Sequence, residues 1–471
     1  MPLNSLREYL DLLRGKGELV ELNEELSLDL EVAAFLRELM YRGGPAVLIR
    51  KIKEGTLPII GNLFSKWDRV FMALGDRDPE KAVGELINML DVRIPSGFFD
   101  AMRTLGELKR FSRYFSRTVN EGPVREIEWD GIDLTRIPAI RQWPHEPGRF
   151  ITMGLTFVRH GDYRNFGYYR LQVIGRDRFI MHWQPWRRSA MYGELGEGEV
   201  AVVFGPDPVT MLMGGVPIPH PLDKLLVTGV VRGEGIELVR GSTVGVEYPA
   251  NAELVIEGRL TGEYAREGPF GDHVGVYSIA KEYPVVKATA IYSREDALIP
   301  VTVTGKPLLE DASIIRFGNM VVKPLLKMLL PEVVDISIPP EGLSYIVIVS
   351  IRKKYPGHAR RVMLTLWGLV PVLGKVMIVT DHDININDWR QVMYAVAAHV
   401  NPSRDILIIN NYPVEELDPS TPIPNLGSKV GIDATRKLPE EYGGEYPMDA
   451  DANVPREIID KVSRILSNLK H

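Results

Sequence analysis

At 471 residues the chain is longer than one ordinary hydrophobic core sustains, and its length implies roughly three domains. With 45% hydrophobic and 25% charged residues and a formal net charge of −6, it excludes wholesale disorder and gives no general attraction to nucleic acid or to an anionic membrane. Cysteine is absent, which excludes disulfides, thiolate nucleophiles and cysteine-ligated metal centres and suits a heat-adapted source. The start, Met1-Pro2-Leu3-Asn4-Ser5, has no basic or apolar leader, and no run of about 18 apolar residues follows, so a cytoplasmic protein is expected.

Residues 5–13 predict a capped amphipathic helix with Leu6, Tyr9, Leu10 and Leu13 on one face, and 30–40 repeat the pattern. Apolar runs at 46–49 and 58–63, then helical periods at 67–74 and 79–90, make residues 1–115 an N-terminal α/β domain. Pro123, Pro138, Pro144 and Pro147 mark 120–150 as a connector. Residues 116–305 then carry short β-type runs at 154–158, 168–174, 200–204, 253–258 and 285–292, which predict an all-β barrel or sandwich with one or two inserted helices near 208–213. Residues 306–330 read as a linking helix. In 331–471, strands at 345–351, 375–380 and 405–409 alternate with helices at 358–369 and 388–399 as a second α/β unit, and a last helix at 455–469 is expected to dock on a neighbouring subunit.

The densest chemistry is the stretch Glu267-Gly-Pro-Phe-Gly-Asp272-His273, where a Gly-Pro turn folds two carboxylates and an imidazole back toward one cleft. Two carboxyls in one cleft push their pKa values apart. An arginine near Glu267 would keep that carboxylate ionised and leave Asp272 free to move a proton. Spacing alone leaves open that Arg170 and Glu267 form a structural ion pair and that Asp272 caps a turn.

Five segments, taken together, resemble the UbiD family of decarboxylases, which act with prenylated FMN. They are Asn165-x-Gly-x-Tyr-Arg170, the 267–273 turn, Ile338-Pro-Pro-Glu-Gly342, Gly357-His-Ala-Arg-Arg-Val362 and Leu426-Gly-Ser-Lys-Val-Gly-Ile-Asp-Ala-Thr435. The resemblance implies a central flavin-reductase-like split β-barrel between α/β domains, a homo-oligomer (dimer or hexamer), and a cofactor supplied by a separate flavin prenyltransferase. It implies that Arg170 and Glu267 are the supporting pair and Asp272 the acid, with the flavin acting as electron sink so that no protein nucleophile is needed. It places Tyr168, Tyr169, Arg170, His182, Trp183, Gln184, Arg187, Arg188, Pro217 and Lys429 along the flavin and its phosphate.

The family binds a divalent metal, usually manganese, with potassium nearby, through an Asn, a His and a Glu. Here Asn165 is present, but Trp186 and Lys224 occupy the other two positions, which puts the divalent site in doubt. The Lys224 ammonium is expected to replace the metal's charge against the phosphate; the alternative is a displaced metal held by Asp223 or His182. Residues 381–388 lack the central Gly and terminal Glu of a calcium loop, and Asp388 reads as a helix cap. Arg187, Arg188 and Lys306 suit a phosphorylated acid, so the specific expectation is trans-anhydromevalonate 5-phosphate of archaeal isoprenoid synthesis. A hydroxybenzoate-type aromatic acid is the second expectation, and a non-catalytic flavin-binding scaffold the third.

Overall fold

The computed structural model describes residues 2–75, 77–90, 111–161, 163–183, 190, 198–218, 222–306, 309–444 and 454–467. The Ser5 hydroxyl accepts the Glu8 N–H and opens the helix Leu6–Gly15, which buries Leu6, Tyr9, Leu10 and Leu13 as the period requires. Behind it lies a four-stranded sheet of Leu19–Leu22, Ala46–Ile49, Ile59–Gly61 and Ile299–Val301. The last of these strands pairs in parallel with Ile59–Gly61, so the chain returns to its first sheet after building the central one.

The central sheet has nine strands among the described residues. Its spine is the antiparallel pair Leu254–Glu267 and Lys281–Ser293, longer than the 253–258 and 285–292 runs that periodicity predicts. The inner half of the first strand is buried and, apart from Glu257, without charge, but the outer half from Arg259 is mostly polar and solvated, and so carries no period-two signal. Along Glu199–Phe204 the side chains alternate between two cores, Ala201 and Val203 in one, Val200, Val202 and Phe204 in the other. Two helices attach to this sheet. Asp207 caps Pro208–Met213 by accepting from Thr210 N–H, and Asp223 caps Lys224–Arg232 by accepting from Leu225 N–H.

The 168–174 run is two strands, not one: Tyr163–Tyr168 ends, and Leu171–Val173 begins in a different part of the sheet. Tyr169 and Arg170 form the crossing, and this places the arginine beside the end of Leu254–Glu267.

The long helix Glu310–Leu329 leads to a five-stranded sheet ordered Val333–Ser337, Ile346–Ile351, Val376–Asp381, Leu426–Asp433, Ile406–Pro413. The helices His358–Leu369 and Trp389–His399 match their predicted spans, and Asp388 caps the second by accepting from Arg390 N–H. The closing helix Arg456–Ser467 exposes Ile458, Ile459, Val462, Ile465 and Leu466. Among the described residues no helix is long and apolar enough to cross a membrane.

Candidate active site

Arg170 organises the site. Its Nε donates to Glu267 Oε1 at 2.6 Å and its Nη2 to Glu267 Oε2 at 3.0 Å, a two-pronged pair. Nη2 also donates to Ser278 Oγ at 3.0 Å and lies 2.9 Å from His182 Nδ1. Nη1 donates to Asp272 Oδ2 at 2.5 Å, and the guanidinium carbon sits 4.7 Å from the Phe270 ring centroid. Glu267 is fully buried. Burial acts to raise its pKa, but hydrogen bonds from His182 and the charge of Arg170 outweigh that and hold it below the usual carboxylate range.

Asp272 is therefore not left free, as the sequence reading had it. One oxygen takes Arg170; the other accepts the backbone N–H of His273 and lies 2.7 Å from its Nδ1. Burial pushes Asp272 up, yet His273 and Arg170 together hold it far below the ordinary aspartate value. His273 responds in the opposite sense: burial lowers it, but Asp272 raises it to about 8. The reason sequence reasoning missed this is geometric. The turn brings Asp272 onto the second N–H edge of the same guanidinium, and neither a 97-residue separation for Glu267 nor a 102-residue one for Asp272 is legible from spacing.

The turn is held by close packing. Gly268 has φ +83° and donates its N–H to Gln172 Oε1 at 3.1 Å. A Cβ on Gly271 would meet Trp143 Cδ1 at 2.1 Å, so only glycine lets the turn approach that indole. Glu146, between Pro144 and Pro147 in the predicted connector, was not foreseen. Its Oε1 accepts Gly271 N–H at 3.0 Å, and its Oε2 accepts Gln142 N–H at 2.6 Å and Trp143 N–H at 3.2 Å. Burial pushes it up to about 7 against these three donors. From the C-terminal unit, Glu416 accepts from Lys281 Nζ and Tyr283 Oη, each at 3.2 Å, and Tyr283 packs 4.1 Å from the His182 ring centroid.

The other expected residues fall in three places. Tyr168 donates to Met211 O at 2.8 Å, Tyr169 packs edge-on against buried Trp183, and the Trp183 indole Nε1 is buried without a hydrogen-bond partner. Asn165 lies on the strand Tyr163–Tyr168, and Pro217 is exposed beyond the helix Pro208–Met213. Lys224 is buried; its Nζ donates to Phe166 O at 2.8 Å, one residue from Asn165. Asp223, besides capping, pairs with Arg164 at 2.8 Å. Lys429 is buried on the strand Leu426–Asp433 and donates to Gly374 O at 3.0 Å, and burial lowers its pKa to about 8. Gln184, Trp186, Arg187 and Arg188 lie outside the described residues. Among the described residues no group of three or more His, Asp or Glu is placed to hold a metal ion.

A buried guanidinium with a paired carboxylate on one side and an aspartate–histidine pair on the other is a site for acid–base work on an anionic substrate. The chain belongs to the UbiD family of carboxy-lyases: it matches the family's 3-octaprenyl-4-hydroxybenzoate carboxy-lyase N-terminal domain over residues 10–90, its Rift-related domain over 117–307 and its C-terminal domain over 314–434. It is 42% identical over 461 residues to a protein of Aeropyrum pernix called only "Uncharacterized protein", covering 94% of both chains. Among solved structures it is similar to the vanillic acid decarboxylase of Sedimentibacter hydroxybenzoicus in closed form, with TM-score 0.87 and 25% identity over 99% of this chain and 100% of that one. It is also similar to HmfF of Pelotomaculum thermopropionicum in complex with FMN, with TM-score 0.77 and 27% identity over 99% and 100%. An evolved dimeric HmfF in complex with prenylated FMN gives TM-score 0.74 and 26% identity over 98% and 100%.

Proposed function

We propose that this chain decarboxylates, non-oxidatively and reversibly, an α,β-unsaturated or aromatic carboxylic acid with prenylated FMN as cofactor. The observation that carries the reading is the single guanidinium of Arg170 bonded to both Glu267 and Asp272. The residues fit the cofactor: the buried Trp183 Nε1–H lacks a protein acceptor, one residue from His182, and Tyr168, at the end of its strand, and Tyr169, on the crossing, lead directly into Arg170. Trp183, the two tyrosines and His182 would hold the flavin in the central sheet, read as the split barrel; Gln184, Arg187 and Arg188 are assigned to the flavin and its phosphate by the family resemblance alone. When bound, prenylated FMN supplies the electron sink for the departing carboxylate.

The protein's part is orientation and proton transfer. Glu267 anchors the Nε–Nη2 edge of the guanidinium and leaves Nη1 to face Asp272. A substrate carboxylate competes with Asp272 for that N–H. Once Arg170 turns to the substrate, Asp272 loses a strong stabiliser of its charge and becomes able to carry a proton to the carbon that has lost carbon dioxide.

Lys224 supports a cofactor site in which a buried ammonium, bonded to the strand that carries Asn165, takes the place of a divalent metal. For substrate, Lys306 and the Arg187–Arg188 pair favour a phosphorylated acid, trans-anhydromevalonate 5-phosphate in archaeal isoprenoid synthesis. A hydroxybenzoate-type acid is the alternative, and the similarity to a vanillic acid decarboxylase favours it. A scaffold role would give no reason to keep Arg170, Glu267 and Asp272 together. We read the protein as a cytoplasmic homo-oligomer, the apolar face of Arg456–Ser467 meeting a second copy, with a flavin prenyltransferase supplying the cofactor. Incubating holoenzyme with each acid and measuring released carbon dioxide tests the substrate; turnover of the aromatic acid alone would remove the phosphate reading.

A further inference from the structure

Every decarboxylation that ends in a C–H bond takes up one proton, yet Asp272 is a poor place to keep it. Its two oxygens accept three donors: Arg170 Nη1 on Oδ2, and on Oδ1 the N–H and Nδ1 of His273. The Asp272 side chain is only 10% exposed, so solvent does not recharge it directly. The imidazole beside it is different. His273 is 28% exposed in its side chain and stands between Asp272 and the outside. Around it are Asp311 at the start of the helix Glu310–Leu329 and Glu415 from the C-terminal unit, both carboxylates whose charge favours an imidazolium. Tyr345 and Arg170 flank the same aspartate, and Lys306 packs on Gly275 of the turn.

We propose that His273 is a positioning residue that acts through Asp272 as the proton store of each turnover. Its Nδ1–H passes to Asp272 Oδ1, Asp272 passes a proton to the carbon that has lost carbon dioxide, and the neutral imidazole recovers one proton from solvent. One proton enters for each carbon dioxide that leaves, and no oxidant or reductant is required. This assignment rests on the decarboxylase reading for the transfer from Asp272 to carbon. Because burial is outweighed by Asp272, His273 is raised to about 8 and holds the proton at neutral pH. Substrate binding to Arg170 then raises the basicity of Asp272 at the moment the transfer is needed.

The test uses the full chain and has two arms. In protein labelled with 15N-histidine, the ring signal lost in His273→Asn reports His273. It is expected to be an imidazolium at pH 7, to titrate near pH 8, and to titrate lower in Asp272→Asn; a neutral ring at pH 7 in the unmodified chain overturns the proposal without reference to any substrate. In the second arm, holoenzyme is given trans-anhydromevalonate 5-phosphate and 4-hydroxy-3-methoxybenzoate as probes. His273→Asn keeps a side-chain N–H for Asp272 but does not titrate, so melting is expected to stay near that of the unmodified chain while kcat falls about a hundredfold, with little change in KM, and the fall in rate above pH 8 disappears. A variant that keeps both the rate and the basic limb overturns the relay. An unmodified holoenzyme inactive on both acids, with the titration as expected, overturns the substrate reading and leaves the proton store supported by the first arm.

Discussion

Asp272 and Arg170 are joined at 2.5 Å through Oδ2 and Nη1, so the carboxylate that the turn presents as an acid is one that His273 and the guanidinium together keep ionised. The site at rest is thus a balanced set of charges in which Arg170 faces two carboxylates. In the proposed reaction, chemistry begins when a third carboxylate, that of the substrate, enters the competition.

Asp272→Asn keeps the size of the side chain and removes the carboxylate that carries the proton. Decarboxylation is expected to drop by about 10²–10⁴-fold with flavin binding intact. The check is a parallel measurement of carbon dioxide release and bound-flavin absorbance; full activity in the variant would remove Asp272 from the reaction.

Arg170→Gln leaves Glu267 buried without its cation. Breaking a buried pair by removing one partner costs about 3–5 kcal/mol, so a clear drop in melting temperature is expected at neutral pH. Glu267 is held below its ordinary pKa, so this contribution is present above the unfolded carboxylate range and fades as pH falls through the lower, folded value. The gap between unmodified chain and variant should therefore narrow in acid, and a gap independent of pH would contradict the account.

Glu146 has the opposite sign. Its pKa is raised to about 7, so the folded state binds this proton more tightly than the unfolded chain, and the associated stability is greatest below the unfolded value and is lost as pH rises through 7. In Glu146→Gln that loss between about pH 5 and pH 7 is absent, at the cost of one mismatched backbone N–H near Gly271. Melting curves of both proteins across this range decide it; parallel curves would mean that Glu146 does not titrate there.

At Lys224 the expectation concerns metal content. Holoprotein grown with ample manganese should carry well under one equivalent per chain, measured by elemental analysis after gel filtration. Stoichiometric manganese lost on Asn165→Ala would mean that the ammonium does not stand in for the ion.

Much of the architecture was legible where local signals agree with packing. Pro208–Met213 and His358–Leu369 have their predicted spans because turn residues bound a continuous apolar helical period. The strand Leu426–Asp433 was not foreseen, since Gly427 and Gly431 argue against a strand. A Cβ at Gly431 would meet Met363 Sδ at 2.4 Å, so the glycine serves the packing of the helix His358–Leu369 rather than the strand. At the site, the residue types of the 267–273 turn announced acid–base chemistry, and the family resemblance linked it to Arg170. The divided loyalty of Asp272 and the three-way grip of Glu146 depend on contacts between distant segments, which no spacing encodes.

The central claim is tested most directly by expressing the chain together with a flavin prenyltransferase, taking the mass and absorbance of the flavin that co-purifies, and measuring carbon dioxide released from the two probe acids. The account predicts bound prenylated FMN and release of carbon dioxide from at least one acid. Plain FMN as the sole bound flavin, with no carbon dioxide from either, would contradict it.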